Sequence, residues 1–258
     1  MQSKLKVAII QQDLVWQNAT QNRLHLDRVF SKLEAVDVIL LPEMFTTGFS
    51  MTPKPIAETM QGKTVTWMLT AAKRFNSAIL GSLIIEENGA FYNRMLFIHP
   101  EGTIEMYDKR HAFALAGENE AYTSGVHKLI VDFKGWKICP LICYDLRFPV
   151  WSRNVEAYDL LIYAANWPKP RINAWNTLLK ARAIENMSYC IGVNRVGVDD
   201  NNNEYSGNSI AIDYLGNEMT AVCEAKEAVI YATLDKVKMQ NVRAKLPFLK
   251  DKDSFTIQ

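Results

Sequence analysis

Cysteine is scarce in this chain: Cys139, Cys143, Cys190 and Cys223 are the four found in 258 residues. So few, with no export signal in view, argue against a disulfide framework. Cys139 and Cys143 form a Cys-x3-Cys pair, but no Cys/His pair follows at zinc-site spacing, so no metal is expected. Long apolar runs are missing as well. The run Val7-Ala-Ile-Ile10 stops at Gln11-Gln-Asp13, too soon for a secretion signal. Nothing approaches the roughly 20 apolar residues that span a bilayer. The expectation is a cytoplasmic protein with no membrane partner. Charge of one sign is not in excess: 29 Lys and Arg face 28 Asp and Glu, a formal net charge of +1. No broad field therefore draws in nucleic acid. Neither a Pro/Gly/Ser-rich linker nor a short-period repeat divides the chain, so residues 1–258 are read as one domain.

What is present suits a layered α/β protein. Hydrophobic residues make up 48%, enough to fill a large core, and 22% are charged. Short β-branched runs predict strands over 6–11, 36–41, 78–85, 94–99, 136–143, 160–164, 189–194, 209–213 and 229–234. Amphipathic stretches predict helices over 19–35, 64–75, 149–157 and 174–186; in the first, Leu24, Val29, Leu33 and Val36 recur near the helical period. Strands separated by single helices indicate βαβ crossovers in two blocks. Between the blocks, Pro100-Glu-Gly102 joins two extended runs as hairpin chemistry. The polar stretch 199–204 reads as a surface loop.

Three clusters carry residues able to do chemistry. In Ile39-Leu-Leu-Pro-Glu43-Met-Phe45, a buried-type strand delivers an acid just after a proline that ends the ladder. Carboxyl ends of strands in such sheets are where ligands bind, although a solvated loop carboxylate is the plainer reading. In Glu105-Met-Tyr-Asp-Lys109-Arg-His111, a basic group follows a strand, and an ordinary basic rim accounts for it equally. A lysine kept charged in a closed pocket needs acids beside it, and Glu43 and Glu118 are available. In Trp136-Lys-Ile-Cys-Pro-Leu-Ile-Cys143-Tyr-Asp-Leu-Arg147-Phe-Pro149, a strand runs straight into a cysteine, and Pro149 suits an early helical position. Cys143 thus sits at a strand-to-helix elbow, while Cys139 inside the strand reads as inert core. None of the four histidines (His25, His99, His111, His127) stands at a clear strand end, so a Cys–His pair has no good candidate.

Taken together, Leu41-Pro-Glu43, Tyr107-Asp-Lys109-Arg-His111 and Ile142-Cys143-Tyr-Asp-Leu-Arg147-Phe-Pro149 resemble the nitrilase superfamily, the carbon–nitrogen hydrolases, from Val7 to Thr233. Within it, Arg147-Phe-Pro-Val-Trp-Ser-Arg-Asn154 and Ala165-Asn-Trp-Pro168 look most like the bacterial omega-amidase branch, which acts on 2-oxoglutaramate. The resemblance implies a single-domain α/β fold, a four-layer α-β-β-α sandwich that pairs into homodimers. It implies Cys143 as nucleophile, Glu43 as general base and Lys109 as stabilising cation, with a second glutamate that is either Glu118 or Glu120. A small amide is then the substrate, and no cofactor has a task. Candidate substrate contacts are Tyr144, the cation Arg147, and the aromatics Phe45, Phe113, Trp167 and Trp175. Arg147 serves equally well as a structural ion pair with Asp145 or another acid. The alternatives are an N-carbamoyl or deaminated-glutathione amidohydrolase, and a catalytically silent binding protein of the same fold.

Overall fold

The computed structural model describes residues 2–256, so Met1, Ile257 and Gln258 at the ends of the expected domain lie outside it. Two sheets hold most of its strands. The first contains β1 (Lys4–Gln11), β2 (Val38–Leu40), β3 (Ala78–Glu87), β4 (Ala90–Ile98) and β5 (Ile104–Asp108). The second contains β6 (Val131–Phe133), β7 (Trp136–Ile142), β8 (Leu160–Ala165) and β9 (Tyr189–Asn194). A short pair, β10 (Val196–Val198) and β11 (Glu204–Ser206), precedes β12 (Ile210–Ile212), which joins the second sheet, and β13 (Ala228–Asp235), which returns to the first. Strand orders are β13-β1-β2-β3-β4-β5 and β12-β9-β8-β7-β6. Each sheet has a parallel centre, β1-β2-β3 in one and β7-β8-β9 in the other, flanked by antiparallel strands.

The period of two along the strands builds the layers. In β1, Leu5, Val7 and Ile9 enter the core shared with the second sheet, while Ala8 and Ile10 face helices α1 (Ala19–Phe30) and α2 (Lys63–Phe75). Met95 and Phe97 of β4 likewise point inward, and Leu96 and Ile98 outward. On the far side, α5 (Ile172–Asn186) lays Trp175, Leu179 and Ala183 onto the second sheet. That approach needs Gly192: a Cβ there would meet Leu179 and Trp175 at 2.5 Å. The result is an α-β-β-α sandwich. Each fully buried Leu, Ile or Phe in it contributes about 1.5–3 kcal/mol.

Several predicted boundaries move. The first helix ends at Phe30 rather than residue 35, and its buried stripe is Asn22, Leu26 and Phe30, with Leu24 exposed. Asn22 is buried because its side chain bonds the Val15 and Thr46 carbonyls and the Val15 N–H, a tertiary role invisible to hydropathy. The helix at Pro149 is one turn, α4 (Pro149–Ser152). β3 and β4 form a long hairpin through Asn88-Gly89, both at positive φ as a tight primed turn requires. The C-terminal helix α6 (Lys236–Lys245), capped by the Asp235 side chain, escaped prediction because it buries only Met239.

Candidate active site

Four strand ends deliver the key side chains. Glu43 follows β2 by three residues; Leu41 N–H still bonds the Leu80 carbonyl, and Met44 N–H bonds Ser82 Oγ at 2.8 Å. Lys109 follows β5, its N–H on the Asn93 carbonyl at 3.0 Å. Arg94 forks onto Asp108 at 2.7 and 2.9 Å and so fixes the residue before Lys109. Cys143 follows β7 at φ 42°, a left-handed backbone that a non-glycine residue holds only under constraint. Asn166 follows β8.

The constraint on Cys143 comes from Asp145, which is fully buried. Its Oδ2 accepts from Ile142 N–H at 3.0 Å and from the Tyr107 hydroxyl at 2.7 Å. Its Oδ1 accepts from His111 N–H at 3.1 Å and meets His111 Nδ1 at 2.7 Å. One carboxylate therefore ties the cysteine elbow of one sheet to the lysine segment of the other.

At the centre lies a buried ion cluster. Lys109 Nζ donates to Glu43 Oε1 at 2.9 Å and to both Glu118 oxygens at 2.9 and 2.8 Å. Asn93 Nδ2 donates to Glu43 at 2.8 Å and Glu118 at 3.3 Å. Asn166 N–H reaches Glu43 Oε2 at 2.8 Å, and Phe113 N–H reaches Glu118 Oε2 at 2.6 Å. Burial works against the ammonium, but the charges of Glu118 and Glu43 outweigh it and hold the Lys109 pKa well above the ordinary lysine value. Desolvation, reinforced by the Glu43 charge, pushes the Cys143 thiol well above the usual range despite Lys109. The cysteine is thus held toward the thiol form, with the Glu43 carboxylate beside it. Of the two acids left open by sequence, both on the single turn α3 (Glu118–Ala121), Glu118 holds the lysine and Glu120 is exposed to solvent.

A pocket of about 100 Å³ opens over Cys143 and Lys109. Tyr144, Arg147, Phe113 and Trp167 line it. Phe45 does not: it is fully buried between the first sheet and α2, its ring against Gly81, and Phe49 lines the pocket in its place. Trp175 is core too, its indole N–H on the Asn208 carbonyl. Arg147 is not paired with Asp145, whose oxygens are occupied as described; its guanidinium lies 5.0 Å from the Trp167 ring centre. The stretch read as a surface loop contributes Asn203, and Tyr205 of β11 joins it at the pocket wall. Among the described residues, no group of three or more His, Cys, Asp or Glu is arranged to hold a metal.

The carbon–nitrogen hydrolase profile matches residues 6–244. The chain belongs to the carbon–nitrogen hydrolase family. It is 44% identical to the omega-amidase YafV of Escherichia coli over 254 residues, 98% of each chain. It is 31% identical to a 2-oxoglutaramate amidase of Bacillus subtilis, with 96% of this chain and 97% of the relative covered. A crystal structure of a CN-hydrolase superfamily protein from Xanthomonas campestris, with an arsenic adduct in its active site, superposes at a TM-score of 0.97 over the full length of both chains, at 40% identity.

For this carbon–nitrogen hydrolase, motif reading missed Asn93, Phe49, Arg171, Asn203 and Tyr205. Asn93 left a trace, since a lone amide inside the apolar run of β4 is out of pattern. The aromatic and arginine contributions left none, because they depend on which loops meet.

Proposed function

We propose that this carbon–nitrogen hydrolase is an omega-amidase, releasing ammonia from the terminal amide of small dicarboxylate monoamides such as 2-oxoglutaramate and 2-oxosuccinamate. The observation that carries the reading is the buried Glu43–Lys109–Glu118 cluster beside Cys143, under a pocket whose rim holds guanidinium charge without an ion-pair partner among the described residues. Similarity to omega-amidases and a 2-oxoglutaramate amidase along the whole chain supports it.

In this reading Glu43 takes the Cys143 proton as the sulfur attacks the amide carbon. The oxyanion is met by the Lys109 ammonium and the Tyr144 N–H, donors that each lower the barrier by about 3–4 kcal/mol. Glu43 returns the proton to nitrogen, ammonia departs and a thioester remains. Water activated by Glu43, with Glu118 orienting it through Lys109, then releases the acid and restores the thiol. Asn93 and Asn166 hold the Glu43 carboxylate in place throughout. Phe113, Tyr144 and Trp167 wall the substrate, and Arg147 meets its far carboxylate.

The reading extends to residues 1–258 acting as one domain, in a cytoplasmic homodimer. Four free cysteines suit a reducing compartment, and exposed Val126, Val150, Val155 and Phe255 offer apolar surface for a second copy. Ammonia release should be compared on 2-oxoglutaramate, glutamine, an N-carbamoyl compound and a nitrile. Preference for 2-oxoglutaramate is the expected outcome. Turnover of the N-carbamoyl compound alone would move the protein to another branch, and no turnover at all would make it a binding protein.

A further inference from the structure

The pocket holds a second arginine that the proposed mechanism does not use. Arg171 is half-buried, and its guanidinium lies 5.2 Å from the ring centre of Phe113. Its backbone is fixed at both ends: the N–H bonds the Pro168 carbonyl at 3.0 Å, and the carbonyl accepts from Trp167 Nε1 at 2.9 Å. The same Trp167 ring carries Arg147. One indole therefore organises both arginines around one opening. Phe113 is itself anchored through its N–H to Glu118, the acid that holds Lys109. Neither guanidinium has an ion-pair partner among the described residues, and no Asp or Glu is in the pocket lining.

Two uncompensated guanidiniums exceed what one carboxylate requires. A fork of planar donors matches one carboxylate bidentately, so the second has donors left for an adjacent acceptor. A 2-oxo acid supplies one, because its ketone oxygen is coplanar with the carboxylate and accepts hydrogen bonds. A 2-amino acid presents an ammonium at that position, with no acceptor and a charge that both arginines repel. We propose that Arg171 determines specificity at this site: with Arg147 it clamps a 2-oxo carboxylate and disfavours the corresponding 2-amino acid. Arg147 takes the carboxylate, and Arg171 takes the 2-oxo oxygen together with the nearer carboxylate oxygen. Specificity then follows from one attractive contact and one repulsive one. The inference rests on the omega-amidase reading for its substrate, and on the two arginines for its geometry.

The test is Arg171→Met, which keeps the length of the stem and removes charge and donors. Two readouts are taken on wild type and variant. The first is kcat/KM for 2-oxoglutaramate and L-glutamine; the second is calorimetric binding of 2-oxoglutarate and L-glutamate, which requires no turnover. In wild type the oxo acid should bind at least about tenfold more tightly than the amino acid. In Arg171→Met the oxo-to-amino ratio should fall by about tenfold or more in both readouts, with the kinetic loss mainly in KM. Arg171→Lys, with charge but no fork, should fall between, and it carries the test if the methionine variant does not fold. A ratio unchanged in a variant with wild-type unfolding midpoint overturns the clamp. If wild type hydrolyses other amides and ignores 2-oxoglutaramate, the substrate reading fails, while the binding ratio still decides the clamp.

Discussion

Replacing Asp145 by Asn tests whether one carboxylate holds the cysteine elbow. Asp145 accepts from two backbone N–H groups on opposite sides, Ile142 through Oδ2 and His111 through Oδ1. An amide keeps only one oxygen, so either orientation turns an NH2 group toward one of these donors and leaves it unpaired. An orphaned buried donor costs about 1–3 kcal/mol, and losing charge assistance in the remaining bonds adds about 1 kcal/mol. The variant should therefore lose about 2–4 kcal/mol of stability. In urea this appears as a lower midpoint with an unchanged slope. Function should suffer beyond stability, because Ile142 N–H precedes the left-handed Cys143 and His111 follows Lys109 by two residues. A displacement of about 1 Å between reacting groups costs roughly 100-fold, so kcat for ammonia release should fall about 10- to 100-fold, with KM changing less. A stability change under about 0.5 kcal/mol together with an unaltered kcat would refute the reasoning.

Cys143→Ala should abolish turnover with the fold intact, whereas Cys139→Ala, a change inside the core, should keep most activity; equal behaviour would mean a misassigned nucleophile. Arg147→Lys should lower kcat/KM for 2-oxoglutaramate by about tenfold to a hundredfold and affect neutral amides much less; equal losses in a normally folded variant would make Arg147 structural. Because burial and then Glu43 raise the Cys143 thiol pKa, its thiolate fraction at neutral pH is below that of an ordinary cysteine. Alkylation by iodoacetamide should accordingly be slow at pH 7 and still climbing above about pH 8.5, and a plateau reached below pH 7 would contradict this. Sedimentation at micromolar concentration should give about twice the 29.4 kDa chain mass, with a 29.4 kDa species alone counting against the dimer.

Local chemistry made much of the fold legible. Tyr189–Asn194 is bounded as the β-branched run suggests, and the parallel blocks follow from single helices between strands. Elements read poorly where burial did not depend on hydropathy. The stripe of α1 contains an asparagine, α6 buries only Met239, and Tyr205 of the three-residue β11 is buried beside Arg195.

The same division runs through the site. Sequence determined that an acid, a lysine and a cysteine each stand just past a strand, because strand-ending residues and their neighbours act over a few positions. It also narrowed the second acid to two. Tertiary structure alone decided that Glu118 and not Glu120 reaches Lys109, that Phe45 belongs to the core, and that Arg171 shares a pocket with Arg147. The Glu43 carboxylate is held by an amide 123 positions away, and its lysine is 66 positions away. Side-chain direction at such separations is set by how two twisted sheets pack across a common core. No window of the sequence contains both partners, so no local pattern can state it.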